Sequence, residues 1–308
     1  MRACSCASMA RRLIKRANRD KENQRIMART DDRGKLDLGR AWNQATAMLA
    51  ANRDVVLIVA GVFVFLPNLV VSILMPQADA MTELEARGPD LAPEEMMNLL
   101  GAFYASYWWA FILLGLIQAV GLLGLLALLT DRSRPTVGQA LVFGVKALLP
   151  YFVAQLLVSL IVLAVAVLLV ALGAIINPAL AVLLGLVALI VAVWLWIKFS
   201  LVSPVIAIEK VMNPLRALQR SWHLTRGNSL HLLAFFFLLV VAMVVVSIVV
   251  SLVLSLFALA GDDVGTLASA IGGALVTMVF VAVFMAVLAA LHRQLAGPGD
   301  EATAETFD

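Results

Sequence analysis

The chain has 308 residues, of which 62% are hydrophobic and 14% are charged, and its formal net charge is +3. Ordinary soluble domains are about 45–50% apolar and about 25% charged. The composition therefore excludes a soluble globular protein, a disordered chain and a disulfide scaffold. The only cysteines, Cys4 and Cys6, have neither a zinc-binding spacing nor a disulfide framework. We predict a protein whose main solvent is lipid.

The first 36 residues are polar and basic, with 11 lysine and arginine residues. They contain no apolar run of the kind found in a secretory signal peptide. Three interpretations stay open: a polybasic arm held at an anionic leaflet, a disordered extension, or an extension upstream of a true start at Met27. We predict residues 1–36 as a disordered arm and residues 37–293 as the membrane domain.

Six long apolar runs follow, and a helix needs about 20 residues to cross the hydrocarbon core. Each run is apolar on all faces, which is typical of lipid-embedded helices. In the first run, Pro67 removes a backbone hydrogen bond and predicts a kink. The fold class is therefore all-α, a polytopic integral membrane protein with six transmembrane helices. The predicted spans are 55–75, 107–129, 150–172, 179–203, 231–257 and 267–291.

The connecting segments on the two sides of the membrane differ in charge. Of the 23 lysine and arginine residues, all but Arg87 lie in segments that share one predicted side of the membrane. The segments of the opposite side are acidic or uncharged. By the positive-inside rule, we predict a multi-pass protein of the inner (plasma) membrane with both termini cytoplasmic. The acidic residues 294–308 are predicted as a disordered tail.

Three segments on the basic side share one sequence pattern, which we call the repeated plan. Each of them precedes an odd-numbered span. They begin at Asp37, Thr136 and Asn213, whose side chains can cap a helix N-terminus. Arg or Gln follows at the third position after the cap, Ala at the fourth and a small residue at the eighth. The plan predicts three short cytoplasmic interfacial helices, each followed by a membrane hairpin. As an alternative, the three segments match by chance, because each lies where the chain re-enters the membrane from the same side. The tandem units would be 37–135, 136–212 and 213–293.

The third segment has an amphipathic helical pattern. Pro214 suits the first helical position, and Gly227 is placed to end the helix. Glu209 can pair with an arginine and hold the segment in place, while Trp222 can anchor it at headgroup level. The predicted apolar side is Leu215, Leu218, Trp222 and Thr225, and the predicted polar side is Arg216, Gln219, Arg220 and His223.

This segment resembles the membrane-domain family named after glycerophosphoryl diester phosphodiesterase. The matching residues are Glu209, the Asn213-Pro214 step, the Ala217-Leu218 and Ser221-Trp222 pairs, and the Thr225-Arg226-Gly227 end. The resemblance implies a bacterial multi-pass membrane protein whose function is poorly defined. We therefore take as motif or headgroup-contact candidates Glu209, Arg216, Arg220, Ser221, Trp222, Thr225, Arg226 and Gly227.

The resemblance does not imply the phosphodiesterase reaction, because in this family catalysis belongs to a separate soluble barrel. A metal-dependent phosphodiesterase needs several Glu, Asp and His ligands around a cation. No stretch outside the spans could form a barrel of about 250 residues. The three histidines lie at helix ends, where interfacial hydrogen bonding is the favoured role. We predict a protein that is not an enzyme, with no cofactor, metal or nucleic-acid partner.

Two functions remain for a non-enzymatic membrane protein. We predict binding of lipid headgroups or of a partner protein through the interfacial helices. The alternative is a permease for a small polar or amphiphilic solute, with a polar membrane site at Asn68, Gln118 and Gln155. No charged side chain lies deep in a span, which disfavours ion-coupled transport. Close helix packing is the favoured reading of the small residues at 121, 124, 247, 251, 255, 272 and 273.

Overall fold

The computed structural model describes residues 36–74, 87, 92–130 and 135–304. The basic arm therefore lies outside the described residues, apart from Leu36. All regular structure in the described part is helical, and a π-helical turn at Gly61–Phe65 joins α2 to α3. The helices are α1 Leu38–Ala51, α2 Arg53–Ala60, α3 Leu66–Leu74, α4 Pro93–Thr130, α5 Val137–Ile176, α6 Pro178–Phe199, α7 Val202–Ile208, α8 Pro214–Leu224, α9 Ser229–Ser255 and α10 Asp262–Ala304.

The described chain contains six helical stretches that are long and apolar enough to cross a membrane. The prediction of six transmembrane helices is confirmed, and the protein is a multi-pass membrane protein. Several stretches exceed the predicted runs, because a helix continues until a cap or a break stops it rather than at the hydrocarbon boundary. The stretches are Arg53–Ile73, Glu94–Thr130, Val137–Ile176, Pro178–Ile208, Ser229–Ser255 and Val264–Ala296.

The predicted kink in the first span takes the form of the π-helical turn that ends two residues before Pro67. Proline has no N–H to donate to the carbonyl of Phe63, so the helix is weakened there. Gly121 of α4 packs so closely on Phe63 that a Cβ atom would overlap its side chain. Close packing is therefore confirmed for Gly121.

The three predicted helix caps are all present. The side chains of Asp37, Thr136 and Asn213 each accept a hydrogen bond from the main-chain amide three residues later, at 3.0, 3.3 and 3.3 Å. Thr136 and Gln139 form a reciprocal capping box. Each bond satisfies one of the amides that a helix start leaves without an intrahelical partner.

The small residues of the repeated plan are buried in all three segments. At the fourth position after the cap, the alanines are at most 1% exposed, and the eighth position is buried each time. A Cβ atom on Gly144 would overlap the carbonyl of Val120 in α4. The repeated small residues therefore mark the face on which each segment packs. The residues are Ala41, Ala140 and Ala217 at the fourth position, and Ala45, Gly144 and Ser221 at the eighth.

The prediction of a separate short helix in the second segment is wrong. Helix α5 runs without a break from Val137 to Ile176 and includes Pro150. Proline is tolerated inside membrane helices, and no cap residue stops α5 before Asn177, which caps α6. By contrast, α1 is separated from the first span at Asn52, and α8 ends at Leu224 before α9 begins.

The predicted disordered tail also differs from the structure, because α10 continues from residue 294 to Ala304. The reason is packing on α1 and on the core. Ala296 is buried, Leu295 packs against the core, and the amide of Gln294 lies between the carbonyl of Asp37 and the amide of Ala41. These contacts hold the first turn of the predicted tail in the helix.

A buried core of the described residues lies at one end of the helices, where the three capped segments meet the end of α10. We call it the basic end. Its fully buried side chains come from several helices, as with Leu126, Ile206 and Leu291. The side chain of Arg293 lies 3.4 Å from the last two carbonyls of α4 and so supplies donors to that helix terminus. The candidate site lies in this part of the fold.

Candidate functional site

The candidate site is Glu209–Gly227, which we call the signature segment. Helix α7 ends at Ile208, and Lys210 then adopts a left-handed backbone conformation with φ of 54°. This turn redirects the chain so that Asn213 can cap α8, with Pro214 at the first helical position. Gly227 has φ of 86°, a conformation that favours glycine and ends the segment as predicted.

Glu209 is the centre of a hydrogen-bonded network between helices. Its carboxylate accepts bonds from Nε of Arg220 at 3.1 and 3.0 Å. Its Oε1 atom also lies 2.9 Å from Nε2 of His292 in α10. The predicted pairing of Glu209 with an arginine is confirmed, and Arg220 is the partner. His292 is the residue that sequence reasoning did not place in the site.

The carboxyl group of Glu209 is held in its ionised form. Burial raises its pKa, but hydrogen bonding and electrostatic attraction from His292 and Arg220 outweigh burial and lower the pKa below its ordinary value. The bond to an ionised carboxylate requires a proton on Nε2 of His292. The opposite ring atom, Nδ1, is buried and has no hydrogen-bond partner in the described part of the chain.

Ser221 and Thr225 face the interior. The Ser221 hydroxyl donates to the main-chain carbonyl of Lys198 at 2.8 Å, and the Thr225 hydroxyl lies 3.4 Å from the same oxygen. This carbonyl belongs to the last turn of α6, where carbonyls lack intrahelical partners. The Ser221 hydroxyl thus caps α6 from another helix, while the Thr225 hydroxyl lies closer to the carbonyls of Ser221 and Trp222 in its own helix, at 3.0 and 3.1 Å. Because both residues are fully buried, their role is to dock α8, not to contact a headgroup.

The other side of α8 borders an open cleft of about 550 Å³. Arg216 and His223 are exposed in it, and Arg220 is partly buried. Glu209 is the only carboxylate among its described lining residues, against three lysine and arginine side chains. The predicted polar side is therefore correct, whereas Leu215 of the predicted apolar side is exposed. The lining is Glu209, Lys210, Val211, Met212, Asn213, Arg216, Gln219, Arg220 and His223.

Trp222 and Arg226 lie apart from the cleft. The Trp222 ring packs edge-on against Trp194, with centroids 5.2 Å apart, and against Phe199. The Nζ atom of Lys198 lies 5.5 Å from the Trp194 ring centre and 5.3 Å from that of Trp222. Trp222 thus joins α8 to the end of α6 through aromatic and cation–π contacts.

The polar membrane residues do not share a described cavity. The side chain of Asn68 donates to the carbonyl of Val64 in its own helix at 2.7 Å. Gln155 is exposed on α5 and Gln118 is half-buried on α4. None of the three lines the cleft or the groove described next.

A second cavity of about 680 Å³ lies between α9 and α10, in the halves of these helices remote from the basic end. Ser247, Ser251 and Ser255 of α9 border this groove, so close packing is the wrong reading of these serines and of Gly273. Gly272 does pack closely, against Leu254. Ser255, Ser269 and Thr277 donate to carbonyls of their own helices. The hydroxyl residues of the groove are Ser247, Ser251, Ser255, Thr266, Ser269 and Thr277.

Among the described residues, no group of three His, Cys, Asp or Glu side chains could hold a metal ion. No curated protein and no solved structure matches the chain. One protein family does match, from the end of α5 to Ala296 of α10, and this match includes the whole signature segment. The resemblance predicted from the segment is thus confirmed: residues 173–296 match the membrane domain of glycerophosphoryl diester phosphodiesterase.

Proposed function

We propose that this protein is a non-enzymatic membrane protein that binds phospholipid headgroups in the cleft beside α8. The cleft itself is the supporting observation, because it places an exposed arginine beside further cationic groups at the end of the membrane spans. An arginine side chain binds phosphate oxygens through two parallel N–H bonds. The membrane domain that matches this chain gives no substrate or ligand, so the proposal depends on the geometry alone.

The location of the cleft suits an anionic lipid leaflet. By the positive-inside rule, the basic end faces the cytoplasm in the inner membrane, and both termini are cytoplasmic. Anionic headgroups attract positively charged side chains to that surface. Glu209 cancels only part of this attraction, because its one negative charge faces three lysine and arginine side chains in the lining of the cleft. The cleft can therefore receive the phosphate of a lipid headgroup.

Arg216 provides the sharpest test, since Arg220 is also part of the structural network. We expect Arg216→Gln to reduce binding of short-chain phosphatidylglycerol to the purified protein several-fold, measured by thermal stabilisation in detergent. Arg53→Gln is the matched control, because Arg53 is exposed on α2 outside the cleft. Equal stabilisation of Arg216→Gln and the wild-type protein would rule out headgroup binding in the cleft. A partner protein that co-purifies with the wild type but not with Arg216→Gln would identify a protein ligand instead.

The groove between α9 and α10 supports a second candidate function, a permease for a small polar or amphiphilic solute. Three of its hydroxyl groups already donate to their own helices, so their oxygens remain as acceptors for hydroxyl or ammonium groups of a solute. Uptake of polyols and glycerophosphodiesters into proteoliposomes tests this function. Ser251→Val should reduce uptake if the groove is a solute path, whereas no uptake of any solute would exclude it.

A further inference from the structure

Lys198 is the best-buried lysine, arginine, aspartate or glutamate of the described part of the membrane domain. It lies at the penultimate position of α6, and the residue is only 6% exposed. Its ammonium lies within 5.5 Å of the ring centres of Trp194 and Trp222. A lysine at the end of a membrane helix ordinarily extends its ammonium into water. Here the two indole rings hold the ammonium against the protein.

The hydrogen-bonding capacity of this ammonium is not used by the described residues. An ammonium has three N–H donors, yet no described hydrogen-bond acceptor or carboxylate lies within bonding distance of Nζ. The cation–π contacts offset only part of the cost of removing an ammonium from water. Arg226 adds to this cost, because it follows Thr225, whose hydroxyl lies 3.4 Å from the Lys198 carbonyl, and its positive charge repels that of Lys198. Within the described part of the chain, no carboxylate therefore balances this pair of cations.

The two tryptophans beside Lys198 are themselves partly exposed. Trp194 is 43% exposed and Trp222 is 37% exposed. Indole rings favour the headgroup level of a bilayer, and Lys198 is in the last turn of a membrane helix at the basic end. The residues around it differ from those that line the cleft. The position of Lys198 is thus separate from the cleft and lies at the end of a membrane helix.

We propose that Lys198 and Arg226 bind the phosphate group of a phospholipid, with the glycerol and acyl chains lying along Trp194 and Trp222. A phosphate diester supplies the acceptor oxygens that the ammonium lacks, and its negative charge removes the repulsion between the two cations. The tryptophans hold the ammonium in position and offer an apolar wall to the lipid. This site does not depend on the cleft beside α8.

Native mass spectrometry of the protein extracted from nanodiscs of phosphatidylglycerol and phosphatidylcholine tests the site. We expect Lys198→Met, which preserves chain length and removes the charge, to lose one retained phospholipid. Lys146→Met is the matched control, since Lys146 is exposed on α5, and it should retain the wild-type number. Lys198→Arg restores a cation and should recover retention, which separates loss of charge from misfolding. Unchanged retention in Lys198→Met would overturn the proposal.

Two soluble probes distinguish a lipid from free phosphate. Stabilisation by dihexanoyl phosphatidylglycerol that is smaller in Lys198→Met than in the wild-type protein supports a lipid ligand. Stabilisation by inorganic phosphate alone, with the same dependence on Lys198, supports the same phosphate site with a free anion as ligand. If neither probe distinguishes the variant from the wild type, Lys198 binds no phosphate. Arg216→Gln should leave these differences intact, because it alters only the cleft.

Discussion

The imidazole of His292 lies 2.9 Å from the carboxylate of Glu209, although 83 residues separate them in the chain. This bond joins the last membrane helix to the turn that begins the signature segment. Arg220 binds the same carboxylate from α8. A single glutamate therefore fixes the position of three elements at the basic end, and its charge is the feature on which the geometry of the cleft depends.

We predict that Glu209→Gln lowers the free energy of unfolding by about 2–3 kcal/mol at neutral pH, because it leaves a partly buried arginine without its ionised partner. The pKa of Glu209 is lowered in the folded protein. Its stabilising contribution is therefore fully present above the ordinary glutamate pKa, ~4.3. This contribution is lost as the pH falls through the lowered pKa that Glu209 has in the folded protein. Thermal unfolding in detergent at several pH values measures the difference.

The exposed Glu94 of α4 provides the control for this experiment. Glu94→Gln should unfold like the wild-type protein at each pH. The difference between Glu209→Gln and the wild type should shrink as the solution is acidified. A constant difference from neutral to acidic pH would contradict the assignment of the effect to the Glu209 charge.

Ser221 gives a second prediction, because its hydroxyl satisfies a buried carbonyl. We expect Ser221→Ala to destabilise the protein by about 1–2 kcal/mol, the cost of leaving the Lys198 carbonyl with a weaker partner. Ser106→Ala is a suitable control, since the Ser106 hydroxyl is exposed and donates within its own helix. If urea or thermal unfolding gives the two variants the same stability, the hydroxyl is not needed to dock α8.

Local features of the site were predictable from the sequence because neighbouring residues determine them. The caps at Asp37, Thr136 and Asn213 depend on a side chain and an amide three residues away. The buried small residues follow from the repeated spacing. The continuity of α5 through Pro150 was not predictable in this way, since packing on neighbouring helices decides whether a membrane helix tolerates a proline.

Contacts between residues that are distant in the chain could not be predicted from the sequence. No sequence pattern links His292 to Glu209, because the two residues come into contact only when α10 packs against the end of α7. The position of Lys198 at a helix end suggests a side chain that reaches water, whereas Trp222 of another helix covers it. The family resemblance identified the residues of the signature segment but not which of them face the core.

Asn213 provides a third prediction, on the cap of α8. Asn213→Ala removes the side-chain oxygen that accepts from the amides of Leu215 and Arg216, and we expect a loss of about 1 kcal/mol in unfolding free energy. Asn213→Ser should retain most of the wild-type stability, because serine is an equally good cap. Thermal unfolding of the three proteins tests this order, and equal loss in both variants would show that the cap does not hold α8.

Gly144 and Gly138, both in α5, form a matched pair for the last prediction. A Cβ atom at 144 would overlap the carbonyl of Val120 in α4, whereas a Cβ atom at 138 would meet nothing within 4 Å. We expect Gly144→Ala to lower the unfolding free energy by about 1–3 kcal/mol by forcing α4 and α5 apart. Gly138→Ala should be neutral or stabilising by up to about 1 kcal/mol, since alanine favours the helix. Because the two substitutions are chemically identical, opposite effects on thermal unfolding would isolate the helix contact, and a stable Gly144→Ala protein would show that the eighth position of the repeated plan does not require a small residue.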